Sequence, residues 1–183
     1  MKKFKFGKGV DEKIKELVKK LPANAKVLDL GSGLGGNGIF LANQGFEVTC
    51  LDKDKEVIEI LRKEHPEINA LYKDILEFDF PKNEYDFVIA RAILNFFRLR
   101  DIKIIIDKVI KSLKENGLFY LMLVSDKNRG PNKRLDRHFF NKEELKEIFK
   151  ENKILEIKEM TFTENHPPRG EHSHDIIKMV VEK

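Results

Sequence analysis

The chain has 183 residues, 41% of them hydrophobic, which is enough for one well-buried core and too short for two full domains. Lys plus Arg exceed Asp plus Glu by 35 − 31 = 4, but the signs are interleaved as on ordinary solvated helix faces, so charge alone does not point to nucleic acid. No apolar run approaches the roughly 18 residues of a membrane span, the start MKKFKFGKGV leads into no apolar signal core, and the single Cys50 excludes a disulfide framework or a multi-cysteine zinc site.

In chain order, residues 10–21 place Ile14, Leu17, Val18 and Leu21 on one stripe and end at Pro22, which predicts an amphipathic cover helix. Lys26 to Leu30 is a short buried strand running into glycines, and Asn37 to Asn43 is helical until Gly45. Phe46 to Leu51 is the next strand, and Asp54 to Glu64 carries Val57, Ile58 and Leu61 at helical spacing, so a β-α-β alternation repeats. Ile68 to Tyr72 and Tyr85 to Ala90 are a third and a fourth strand. Asp101 to Leu113 has Ile102, Ile105, Ile106, Val109 and Leu113 on one helical face, with Asn116-Gly117 as its stop, and Leu118 to Val124 is a fifth strand. A polar stretch follows to His138, then a helix capped by Asn141 through Phe149. Two final strands, Ile154 to Phe162 and Ile176 to Val181, are joined by ENHPPRGEHSHD, whose prolines argue against regular structure. The expected fold is α/β, a Rossmann-like doubly wound and mostly parallel seven-stranded sheet with helices on both faces and a C-terminal antiparallel hairpin.

The segment DLGSGLGG contains G-x-G-x-x-G in Gly31, Gly33 and Gly36, and Asp52 ends the next strand roughly 20 residues on, a pattern that also describes a dinucleotide site. In either use the glycines let backbone approach a ligand at the carboxyl edge of the sheet, and the acid accepts from ribose hydroxyls. Asp29, inside the first strand, discriminates. Its carboxylate would repel a pyrophosphate, whereas it can balance the ammonium of a zwitterionic amino-acid group.

With VLDLGSGLG, the acid at Asp52, Asp74 in LYKDILEFDF and the run YDFVIARAILNFF in this order, the chain resembles the class I S-adenosylmethionine-dependent methyltransferases. The resemblance is good from Lys26 to Val124. GLGGN, ILNFF and the tail HPPRGEHSHDIIKMVVEK are similar to the TehB-like, tellurite-resistance branch, with Gly-Ser-Gly where many relatives have Gly-Cys-Gly. It implies one methyltransferase domain over 1–183, with the cover helix at 10–21, the cofactor core at 26–124 and an acceptor-side loop, helix and hairpin at 125–183. S-adenosylmethionine is the implied cofactor, held by Asp29, Gly31, Ser32, Gly33, Asn37, Asp52, Lys53, Asp74, Ile75 and Arg91, with Asp74 accepting from the adenine amine.

Methyl transfer from a sulfonium needs positioning more than a general base, and for an anionic acceptor it needs positive charge near the methyl. Arg91, Arg169 and His172 are the residues expected to supply it, set against the plainer reading of His166, His172 and His174 as surface residues. Two imidazoles with Glu171 or Asp175 make a weak metal set, and no metal is expected. Lys127, Arg129, Lys133, Arg134 and Arg137 outnumber Asp126 and Asp136 in the stretch after the fifth strand, which reads as a solvated loop or as a lid attracting an anion. The expected partner is a small-molecule or anionic methyl acceptor, for a cytoplasmic monomer or homodimer without membrane or nucleic acid. An RNA or protein methyltransferase, or a non-catalytic cofactor-binding subunit, stays open as the alternative.

Overall fold

The computed structural model describes residues 10–128, 138–166 and 170–183, with the backbone alone at 162, 164–166, 170 and 172. Seven strands form one sheet: β1 (Lys26–Leu30), β2 (Glu47–Asp52), β3 (Asn69–Tyr72), β4 (Tyr85–Arg91), β5 (Leu113–Val124), β6 (Lys153–His166) and β7 (Gly170–Glu182). Their order is β3-β2-β1-β4-β5-β7-β6, parallel from β3 to β5 and antiparallel at β5–β7 and β7–β6. The antiparallel β7 enters between β5 and β6, which departs from the dinucleotide-fold strand order. The order reverses beside β1, so the carboxyl ends of β1 and β4 open a crevice of the kind in which ligands settle on such sheets.

Strand alternation sorts the core into two layers. Leu28, Leu30, Val88, Ala90, Phe119 and Leu121 pack with α4 (Leu99–Ser112) and α5 (Lys142–Ile148). Val27, Cys50, Phe87, Ile89, Tyr120 and Val180 pack on the other face with α1 (Glu12–Leu17), α2 (Gly36–Ala42) and α3 (Lys55–Glu64). Asn141 caps α5 as expected, accepting the Glu144 amide, and Asp11 and Asp54 likewise accept a first-turn backbone N–H as N-caps of α1 and α3. The cover helix ends as expected before Pro22, its last turn, Val18–Lys20, tightening to 3-10.

Two expectations change. Helix α4 stops at Ser112, and β5 begins at Leu113, so Asn116-Gly117 lies inside a bulged strand rather than ending the helix. Asn116 adopts φ +62°, and a Cβ on Gly117 would stand 2.8 Å from the Lys114 carbonyl oxygen, so the pair makes a tight reversal that needs glycine. The second change is the final hairpin. Its strands do not end at Phe162 and begin again at Ile176: pairing runs from Lys153↔Glu182 to His166↔Gly170, well past Val124↔Ile176 where β5 stops. Cross-strand hydroxyl contacts sustain this polar ribbon, Thr161 Oγ1 to Asp175 Oδ1 and Thr163 to Ser173, both at 2.8 Å. Among the described residues no helix is long and apolar enough to cross a membrane.

Candidate active site

Strand β1 runs into a turn whose backbone is dictated by glycine. Gly31, Gly33 and Gly35 have φ of +64°, +55° and +75°, and a Cβ at Gly31 would meet Ile93 Cγ1 at 2.5 Å. The turn is pinned to β2: the amides of Gly31 and Ser32 donate to the Leu51 carbonyl at 2.8 and 3.1 Å, and that of Gly33 donates to Asp52 Oδ2 at 2.8 Å. Asp52 Oδ1 accepts from the Asp54 amide at 3.0 Å, so one carboxylate braces two turns and still has acceptor capacity to spare.

The expected third glycine, Gly36, has open space around it, whereas a Cβ on Gly38 would run into Cys50 Sγ. Gly38 is therefore the residue that lets α2 settle on β2. It escaped the sequence reading because the fingerprint was already complete at Gly36.

Asp29 sits at the end of the layer facing α1 and α2, 1% exposed. Burial pushes its carboxyl up to about 7; the neighbouring Asn37 amide and Arg91 guanidinium pull the other way, and Asp52 adds to the rise. Asp29 Oδ2, Ser32 Oγ, Asn37 Oδ1 and Arg91 Nε are all buried and all without a hydrogen-bond partner. Arg91 ends β4 and is followed by Ala92 at φ +57°, a left-handed conformation rare outside glycine and of the strained kind that gathers at functional sites.

On the far side of Asp52, Asp74 caps a 3-10 turn by accepting from the Leu76 amide at 2.9 Å, with Lys53 Nζ 3.9 Å from its other oxygen. Ile75 is buried beneath it. Lys53, Tyr72, Lys73, Asp74 and Glu77 line a cleft of about 640 Å³. Tyr72, Lys73 and Glu77 were not among the expected site residues; as residues flanking an acid they carried no pattern of their own.

On the β5 side, the sequence reading also passed over Asn95. Its Nδ2 donates to the carbonyls of Val124 and His138 at 3.2 and 2.7 Å, and its Oδ1 accepts from the Val124 amide at 2.8 Å. It ties the end of β5 to the chain returning at His138. His138 lies against Glu144 at 2.8 Å and packs edge-on to Phe140. Of the acceptor-side candidates, Arg169 lies outside the described residues, as do residues 129–137 of the basic stretch. His172 belongs to β7, paired with Glu164, rather than to a loop.

The tellurite resistance protein TehB family model matches residues 1–180. The chain belongs to the TehB family. It is 30% identical over 148 residues to the probable S-adenosyl-L-methionine-dependent methyltransferase TehB of Haemophilus influenzae, covering 76% of this chain and 50% of that protein. The crystal structure of TehB from Haemophilus influenzae superimposes with a TM-score of 0.82 at 22% identity, over 95% of this chain and 62% of that one. The 1,6-didemethyltoxoflavin-N1-methyltransferase of Burkholderia thailandensis, solved with S-adenosylhomocysteine, gives 0.71 at 19% identity over 93% and 76%. This TehB-family chain thus spans about half the length of the curated relatives it matches.

Proposed function

We propose that this chain is an S-adenosylmethionine-dependent methyltransferase acting on a small-molecule or oxyanion acceptor, with residues 1–183 as one catalytic domain. The observation that carries the reading is the group of buried polar atoms without partners around the glycine turn, Asp29 Oδ2, Ser32 Oγ, Asn37 Oδ1 and Arg91 Nε. Each such atom costs about 1–3 kcal/mol unless something answers it. A zwitterionic amino-acid group answers acceptor and donor together, and the names of the relatives supply the cofactor that bears one.

In this reading Asp29 meets the ammonium and Arg91 the carboxylate of that group. The turn at Gly31, Ser32 and Gly33 gives the close backbone approach, and Asn37 supports Asp29 from α2. Asp52 accepts from the ribose hydroxyls with Lys53 beside it, and Asp74 with Ile75 holds the adenine end at the cleft. When bound, S-adenosylmethionine supplies an electrophilic methyl on a sulfonium. The chain's residues have then to hold the acceptor in line and exclude water. Positive charge from Arg91, Arg169 and His172 is the means proposed for an anionic acceptor.

The test is formation of S-adenosylhomocysteine from S-adenosylmethionine across a panel of tellurite, selenite and small thiols. Product that depends on one of these acceptors supports the reading. Tight binding of S-adenosylhomocysteine with no turnover on any of them, while RNA binds in a salt-sensitive manner, would transfer the chain to the RNA-modifying alternative.

A further inference from the structure

Asp11 is an acid with no place in the cofactor site as read from sequence, yet it is buried, its side chain 5% exposed. As the N-cap of α1 it accepts from the Lys13 amide at 2.9 Å, which is an ordinary structural duty. Two cations from distant strands also converge on it. Lys178 Nζ of β7 lies 2.9 Å from Oδ1 and 2.8 Å from Oδ2, and Arg91 Nε of β4 lies 4.0 Å from Oδ2, too far for a hydrogen bond. Register sets the two cations in one row across the sheet, flanking Met122 of β5: Arg91 pairs with Met122, and Met122 pairs with Lys178. The Tyr120 hydroxyl, buried in the layer below, faces the same carboxylate.

The charges around this point do not balance. The two lysines of α1 are committed elsewhere, Lys13 to Glu16 and Glu156 at 2.7 and 2.6 Å and Lys15 to Glu12 at 2.6 Å. Asp11 and Lys178 make a close pair, which leaves the Arg91 charge facing Asp29. The Asp29 carboxyl already gives up much of its charge to burial. One buried positive charge is therefore left over beside the crevice, and a buried charge wants a partner of opposite sign.

We propose that Asp11 is a positioning residue for the cofactor. By pairing with Lys178 and holding Arg91 at 4.0 Å, it keeps the surplus cation aimed at the carboxylate of the bound amino-acid group. This rests on the cofactor reading above. It differs from a cap or a stability role because it concerns one end of the ligand only. Without the Asp11 charge, Lys178 and Arg91 repel each other across the sheet, and the guanidinium loses its direction.

The experiment is calorimetric titration of the whole protein with S-adenosylhomocysteine and, in parallel, with 5′-methylthioadenosine, which lacks the amino-acid group. Asp11→Asn keeps the cap and the shape while deleting the charge. The expected result is a loss of about tenfold in affinity for S-adenosylhomocysteine, as for directly coupled charges, with 5′-methylthioadenosine changed by less than about twofold. In an Arg91→Ala background the same substitution should cost nothing further. If Asp11→Asn does not fold, Lys178→Gln makes the complementary test: Asp11 then neutralises Arg91, and S-adenosylhomocysteine alone should weaken. Equal weakening of both ligands, an unchanged preference between them, or additive losses with Arg91→Ala would overturn the proposal. Wild-type protein that binds neither ligand would overturn the cofactor reading beneath it, a result separable from any behaviour of the variants.

Discussion

The Gly33 amide donates to Asp52 Oδ2 at 2.8 Å, so the acid that closes β2 also holds the turn that closes β1. The two motifs at this edge are one mechanical unit. Asp52→Ala removes that bond, the second one to Asp54, and the acceptor expected for ribose. Affinity for S-adenosylhomocysteine should fall by roughly 10–100-fold, the range of one or two charge-assisted hydrogen bonds. Calorimetry checks the loss, and an affinity within a factor of two of wild type would remove Asp52 from the site.

Asp29 predicts a pH dependence. Its carboxyl is raised from 3.8 to about 7 by burial, so the folded, ligand-free protein holds a proton that the unfolded chain releases. Its contribution to stability is complete below 3.8, declines as pH rises toward about 7 and is flat above. Asp29→Asn should therefore melt higher than wild type at pH 8 and close to it at pH 4. An ammonium beside Asp29 favours the carboxylate, so affinity for S-adenosylhomocysteine should climb by up to about tenfold per pH unit below 7 and then level off. Asp29→Asn should lose both the affinity and its pH slope. A slope that survives the substitution would assign it to another group.

Gly38→Ala should destabilise the protein by about 1–3 kcal/mol, the usual cost of overpacking, because the new methyl runs into Cys50 Sγ. Adding Cys50→Ala vacates that space. The double variant should therefore melt above Gly38→Ala alone, and thermal unfolding of the three proteins reads this directly.

Asn95→Ala should leave the Val124 amide and the carbonyls of Val124 and His138 without their side-chain partner. The expected cost is about 2–3 kcal/mol in urea unfolding. Affinity for S-adenosylhomocysteine should stay near wild type, since Asn95 braces the acceptor side. A large loss of cofactor affinity would mean that Asn95 supports the glycine turn instead.

The parallel half of the sheet was legible because each strand is a short apolar run ending in a turn residue, and the helices α3 and α4 carry apolar stripes at helical spacing. KVLDLGSG announces a strand, a turn and a misplaced acid within eight letters. The hairpin was not legible past Phe162 and before Ile176, since Thr163, Ser173 and Asp175 offer no apolar alternation; there cross-strand pairing supplies what burial does not. Asn116-Gly117 reads as a helix stop in any local window, and only pairing with β4 draws the preceding residues into a strand. Asp11, Lys178 and Arg91 share a place but no local pattern, because the fold brings them together from the start, the end and the middle of the chain.

The central claim is that the crevice beside β1 receives S-adenosylmethionine through its amino-acid group and its ribose. Parallel titration of the wild-type protein with S-adenosylhomocysteine and with NAD tests it most directly. The account predicts saturable binding of S-adenosylhomocysteine that is lost in Asp29→Asn and Asp52→Ala, and no binding of NAD. Binding of NAD alone would contradict it and return the glycine turn to a pyrophosphate.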